Sequence, residues 1–106
     1  MNRRVVLRLE VAADLLDIHT YIAVDKPSSA DRFVAAVRDA FALLARFPGI
    51  GSPKHLPGRW RDVRSYATPG FPSYLIFCRP TREAIVVVGV IHAARDIRKI
   101  LRGRRP

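Results

Sequence analysis

The chain has 106 residues, 49% of them hydrophobic and 26% charged, with 19 Lys and Arg against 9 Asp and Glu for a formal net charge of +10. That length suits one domain around one core, so residues 1–106 are read as a single domain whose last residues, 102–106, fray as a basic tail. No apolar run approaches the roughly 20 residues of a membrane-spanning helix, and the lone Cys78 excludes an internal disulfide or a multi-cysteine metal site. The N-terminus is basic and then apolar, but Arg8 and Glu10 interrupt it before a signal-peptide core can form. A cytoplasmic protein with no membrane partner is therefore expected.

The charge is unevenly placed. Residues 1–50 hold 7 basic and 6 acidic side chains, whereas residues 51–106 hold 12 basic and 3 acidic, a net of +9. Such a field attracts phosphates or carboxylates, with an association that weakens as salt rises. Arg far outnumbers Lys, which suits two-pronged recognition of anions and equally reflects a GC-rich coding sequence.

Arg4 to Leu9 alternates loosely and predicts a first strand. From Val11 the period lengthens: Val11, Leu15, Ile18 and Ile22 fall on one helical face. Pro27 ends this helix, and Ser28 offers an N-cap for the next, with Asp31 at the capping-box position. Ala30, Phe33, Val34, Val37, Phe41 and Leu44 then keep the helical period until Pro48-Gly49. Two amphipathic helices joined this tightly predict an antiparallel hairpin. Its aromatic residues Tyr21, Phe33 and Phe41 are read as core.

Residues 49–58 are turn-rich and predict a loop carrying an exposed His55. Arg61 to Tyr66 alternates as a second strand, Thr68-Pro69-Gly70 turns, and Tyr74 to Cys78 forms a third strand. Ala84 to Ile91 forms a fourth, whose β-branched run Ile85-Val86-Val87-Val88 places it centrally, under the hairpin. Asp96 to Leu101 predicts a short last helix. The order β-α-α-β-β-β(-α) is an α+β fold, a helical hairpin packed on a small antiparallel sheet. On this reading, deleting residues 95–106 removes six basic side chains and lowers function more than stability.

No phosphate loop, dinucleotide fingerprint, nucleophile elbow or metal-ligand spacing occurs, so no cofactor or metal is expected. Cys78, among apolar strand neighbours, reads as a buried inert thiol. One constellation remains: Arg61, Arg64 and Arg79 on the second and third strands, and His92, Arg95 and Arg98 just after the fourth. If those strands are adjacent, the six share one target-binding surface. It can hold a nucleic-acid backbone or an acidic protein. With His92, Arg64 and Arg95 at a scissile phosphate, it can also support metal-independent RNA cleavage. No obvious general base accompanies His92, which favours binding.

Several stretches together resemble the ParE/RelE toxins of type II toxin–antitoxin pairs, and most of all the ParE branch. They are Ala13-Asp14-Leu15-Leu16-Asp17-Ile18 with Tyr21-Ile22, Ala30-Asp31-Arg32-Phe33, Phe47-Pro48-Gly49-Ile50-Gly51, Gly70-Phe71-Pro72-Ser73-Tyr74-Leu75-Ile76-Phe77, and His92-Ala93-Ala94-Arg95-Asp96-Ile97 with Leu101. The resemblance implies the fold read above and a toxin held inactive by a cognate antitoxin. The antitoxin's disordered, acidic segment would fold as it wraps the toxin. Leu15, Ile18, Ile22, Phe33, Val37 and Phe41 are the candidate antitoxin-binding residues, as a groove left partly open. ParE-like members poison DNA gyrase and stop replication, whereas RelE-like members cleave messenger RNA in the ribosome. His92 is followed by Ala93, and no tyrosine follows Tyr74, so the nuclease set is incomplete. Gly89 stands three residues before His92, where ParE-like chains often have arginine, so the resemblance also allows a detoxified member that only binds its antitoxin.

Overall fold

The chain reverses at Lys26, whose extended backbone (φ −146°) separates two helices, α1 (Leu9–Asp25) and α2 (Pro27–Arg46). Pro27 occupies the first helical position, where its missing N–H costs nothing. The cap therefore falls on Lys26 rather than Ser28, and no side chain caps it. Asp31, expected in a capping box, instead accepts from His19 Nε2 of α1 at 2.9 Å and ties the two helices together.

The computed structural model describes residues 2–106. Strand β1 (Arg4–Leu7) precedes the hairpin, and β2 (Ser52–Pro53), β3 (Arg64–Thr68), β4 (Phe71–Pro80) and β5 (Ala84–His92) follow it. They form a sheet in the order β1-β5-β4-β3-β2. The last three strands pair antiparallel, as their short turns predict. Between β3 and β4 the turn depends on Gly70, whose φ of +81° only glycine adopts freely. β1 joins β5 in parallel after the helical crossover, so the sheet is mixed. The loop expected over 49–58 contributes the two residues of β2, pinned where Arg64 Nε donates to the Gly51 carbonyl at 2.9 Å.

Each sheet face has its own core. On the helix face, Val11, Phe33, Val37 and Leu44 pack on Ile76, Cys78, Ile85, Val87 and Val90. On the other face, a 3₁₀ turn (Gly58–Trp60) and α3 (Ile97–Arg102) bring Leu56, Trp60 and Leu101 onto Phe77, Val86, Val88 and Ile91. Asp96 caps α3 by accepting from the Lys99 N–H at 3.2 Å. The β-branched run of β5 is thus covered on both faces, which explains why it is apolar throughout rather than alternating.

The tail is tied to the rest of the fold. Arg104 Nη1 and Nη2 grip Asp14 Oδ2 and Oδ1 of α1 at 2.6 and 2.7 Å. Arg8 Nε donates to the Pro106 carbonyl at 3.0 Å and Arg59 Nη2 to the Arg104 carbonyl at 3.1 Å. Composition suggested a loose basic end, but composition cannot reveal a buried carboxylate waiting for it.

Candidate functional site

A β-bulge decides which way His92 points. Phe77 of β4 pairs with Gly89 of β5, yet the next residue, Cys78, pairs with Val87, leaving Val88 as the extra residue. Before the bulge Ile85 and Val87 face the helices; after it Val90 does, while Val88 and Ile91 face the other core. The inserted residue shifts the two-residue alternation by one, so His92 emerges on the helix side. There it pairs with Tyr74 across the ladder, the rings meeting edge to face with centroids 5.1 Å apart. Tyr74 in turn packs at 5.2 Å against Phe33 of α2.

The result is a cleft of about 380 Å³ lined by Asp17, Ile18 and Tyr21 of α1 together with Tyr74, His92 and Arg95. It gathers a carboxylate, two phenols, an imidazole and a guanidinium. Burial raises the Tyr74 phenol above its ordinary pKa, with Tyr21 adding to the shift, so Tyr74 remains a hydrogen-bond donor at neutral pH. His92 Nδ1 accepts from the Ala94 N–H at 3.0 Å, and the neutral ring then carries its proton on Nε2. In that arrangement the imidazole offers a donor to a ligand and no free basic nitrogen.

The six residues expected on one surface are split three ways. Arg79 lies opposite Val86, six residues from His92 on β5, which separates them by about 20 Å along the strand. At that far end Arg79 makes a two-pronged bond to Asp62, Nε to Oδ1 at 3.0 Å and Nη2 to Oδ2 at 3.1 Å, which holds the Asp62 carboxyl below its usual range despite partial desolvation. Arg61 and Arg64 line a neighbouring cleft with Asp62 and Val63. Arg64 is largely engaged, donating to the carbonyls of Gly51 and Gly49 at 2.9 and 3.1 Å. Arg98 lies on α3, beside a third cleft on the opposite face of the sheet. His92 and Arg95 come together at one end of the sheet and Arg61, Arg64 and Arg79 gather around Asp62 at the other, and the antiparallel direction of β4 and β5 is the reason.

The hairpin face read as a partly open groove is mainly core. Phe33 and Val37 are fully buried, and Leu15, Ile18, Ile22 and Phe41 are partly buried against the same core. The open apolar face lies instead on α1, at Leu9, Leu16, Tyr21 and Val24, which are between 65% and 94% exposed. Tyr21, expected in the core, is thus a surface residue bordering the His92 cleft.

Sequence reasoning missed Asp17 and Tyr21 as neighbours of His92, because it treated α1 only by its apolar face. It also missed Asp14, whose Oδ2 accepts from the Val90 N–H at 3.0 Å as well as from Arg104. The spacing of Asp14 and Asp17, one helical turn apart, was the available signal. Gly89 has a local role too: a Cβ there would lie 2.9 Å from Arg104 Nη1 and 3.0 Å from Ile91 Cδ1. Among the described residues, no group of three or more His, Cys, Asp or Glu side chains is placed to hold a metal ion.

Known proteins share this fold. Residues 5–97 match the family described as ParE toxin of type II toxin-antitoxin system, parDE. A Sinorhizobium fredii protein named "Putative toxin Y4kP" is 30% identical over 100 residues, covering 94% of this chain and 98% of that protein. A solved structure titled "Chromosomal ParDE TA system from P. aeruginosa" superposes with a TM-score of 0.72, covering 85% of this chain and 95% of that one at 19% identity, which is a likeness of fold. The family match over most of the chain, on the fold and motif order described above, makes this protein a member of the ParE toxin family of type II toxin–antitoxin systems.

Proposed function

We propose that this toxin acts by binding rather than by cutting, that its target is DNA gyrase, and that a cognate antitoxin with an acidic segment neutralises it. Membership of the ParE family supports the gyrase target. The observation that carries the binding mode is the His92 geometry: with Nδ1 occupied by the Ala94 N–H, the ring has no free basic nitrogen to activate a nucleophile. The exposed apolar residues of α1 supply a surface on which an antitoxin segment folds as it binds. Expression of the gene alone should arrest growth, and the purified protein should inhibit gyrase supercoiling at low salt. Supercoiling that proceeds unimpaired at saturating protein would reject the gyrase target.

One observation favours a second reading, RelE-like cleavage of messenger RNA in the ribosome. Asp17, Tyr21, Tyr74, His92 and Arg95 converge on one cleft, and that is a set from which acid–base chemistry and phosphate stabilisation can be assembled. Ribosome-dependent cuts that vanish in both His92→Ala and Tyr74→Phe would establish it.

A further inference from the structure

The face of the sheet away from the helix hairpin carries the cleft beside Arg98, of about 320 Å³, that the toxin reading does not use. Its floor is apolar: Leu56, Trp60 and Leu101 are each at least nine-tenths buried. Its rim is three exposed arginines, Arg59 from the 3₁₀ turn and Arg98 and Arg102 from α3. No acidic residue lines it. The basic half holds only three carboxylates, Asp62, Glu83 and Asp96. Asp62 is held by Arg79, Asp96 caps α3, and Glu83 sits in the turn between β4 and β5. Among the described residues Arg98 and Arg102 take part in no ion pair, and Arg59 gives one bond to the Arg104 carbonyl and lies over the Trp60 ring at 5.8 Å.

We infer that this cleft is a docking site for an acidic peptide segment that inserts an apolar side chain between flanking carboxylates. Charge complementarity selects the carboxylates, because three guanidinium groups with no internal counter-charge surround one opening. The apolar floor selects the anchor, since a bare anion would stop at the arginine rim and leave the space above Leu56, Trp60 and Leu101 to water. A nucleic-acid strand fits less well. Single strands are held by bases stacked on exposed aromatic rings, and here Trp60 is only 8% exposed and overlain by Arg59. The inference rests on the reading that an antitoxin with an acidic segment neutralises the toxin, and it adds a second anchor point on the face opposite α1.

Trp60 is the only tryptophan, so the cleft reports on itself. The full-length protein is titrated with a synthetic peptide of alternating glutamate and leucine while Trp60 emission is followed. A saturable change in emission is expected that weakens with salt. It should weaken by roughly tenfold or more in the double variant Arg98→Ala/Arg102→Ala, whose thermal melt confirms that the fold is kept. A glutamate–serine peptide of the same charge should bind at least as poorly as the double variant binds the first peptide. Equal affinity in wild type and double variant would overturn the assignment. So would peptide binding seen calorimetrically to which Trp60 is silent, which would point to the α1 face instead. An oligonucleotide that displaces the peptide and binds more tightly, with the same dependence on Arg98 and Arg102, would give the cleft to nucleic acid. A gyrase assay plays no part in these outcomes, so failure of the target assignment and failure of this site are read separately.

Discussion

Asp14 and Arg104 stand 90 residues apart in sequence and form a two-pronged ion pair beside the bulge of β5, their side chains only 11% and 13% exposed. Beyond the end of β1, the pair takes up two backbone groups of β5: Asp14 accepts from the Val90 N–H and Arg104 donates to the Val88 carbonyl. The C-terminal tail is therefore part of the fold that aims His92.

Removing one partner of so enclosed a pair leaves a charge without its counter-ion. Asp14→Ala, which also orphans the Val90 N–H, should cost about 3 kcal/mol in urea denaturation. Asp14→Asn keeps an acceptor for that N–H and should cost less.

Gly89 tests the same junction from the other side. Gly89→Ala brings a methyl group within 2.9 Å of Arg104 Nη1, a guanidinium that Asp14 prevents from moving away. A loss of about 1–3 kcal/mol is expected, and a smaller one when Arg104→Ala has already emptied the space. Equal losses in both backgrounds would show that the clash lies with Ile91 alone.

Truncation reverses the expectation drawn from charge. Deleting residues 95–106 removes Leu101, which is 1% exposed, and Arg104 with it. The deletion should cost at least about 5 kcal/mol and abolish a cooperative melt. A truncated chain that melts as sharply as wild type would restore the view of the tail as a dispensable basic appendage.

Much of the fold was legible because period and punctuation are local. Pro27, Pro48-Gly49 and Thr68-Pro69-Gly70 mark the reversals, and the helical spacing from Ala30 to Leu44 marks α2. What was not legible depends on pairings across the chain. The bulge at Val88 lies where Gly89 breaks the β-branched run, and a glycine inside a strand marks a bulge without fixing its register, so the side on which His92 emerges could not be read. The scatter of the arginines follows from strand direction: antiparallel β4 and β5 carry Arg79 and His92 to opposite ends. Tyr21 falls off the Val11, Leu15, Ile18 and Ile22 stripe of α1 whereas Phe33 lies on the stripe of α2, so the exposed ring was legible from the period and was misread as core.

Cys78 was legible as an inert thiol, and its chemistry can be checked. It is fully buried, and burial pushes its pKa from 9.0 up to about 11, with Arg64 opposing the shift weakly. Native protein should be unreactive toward a thiol-specific disulfide reagent at pH 8, and one equivalent should react after denaturation. The raised folded pKa contributes stability that is fully present below pH 9 and lost as pH rises toward 11. The urea midpoint should fall over that interval in wild type and fall less in Cys78→Ala.

The central claim, that the toxin binds its target and does no chemistry with His92, is tested most directly by comparing wild type and His92→Ala in a gyrase supercoiling assay and a ribosome-dependent mRNA cleavage assay run side by side. Inhibition of supercoiling by both proteins, with no cleavage by either, is the predicted result. Cleavage by wild type that His92→Ala abolishes, with gyrase unaffected, would contradict it.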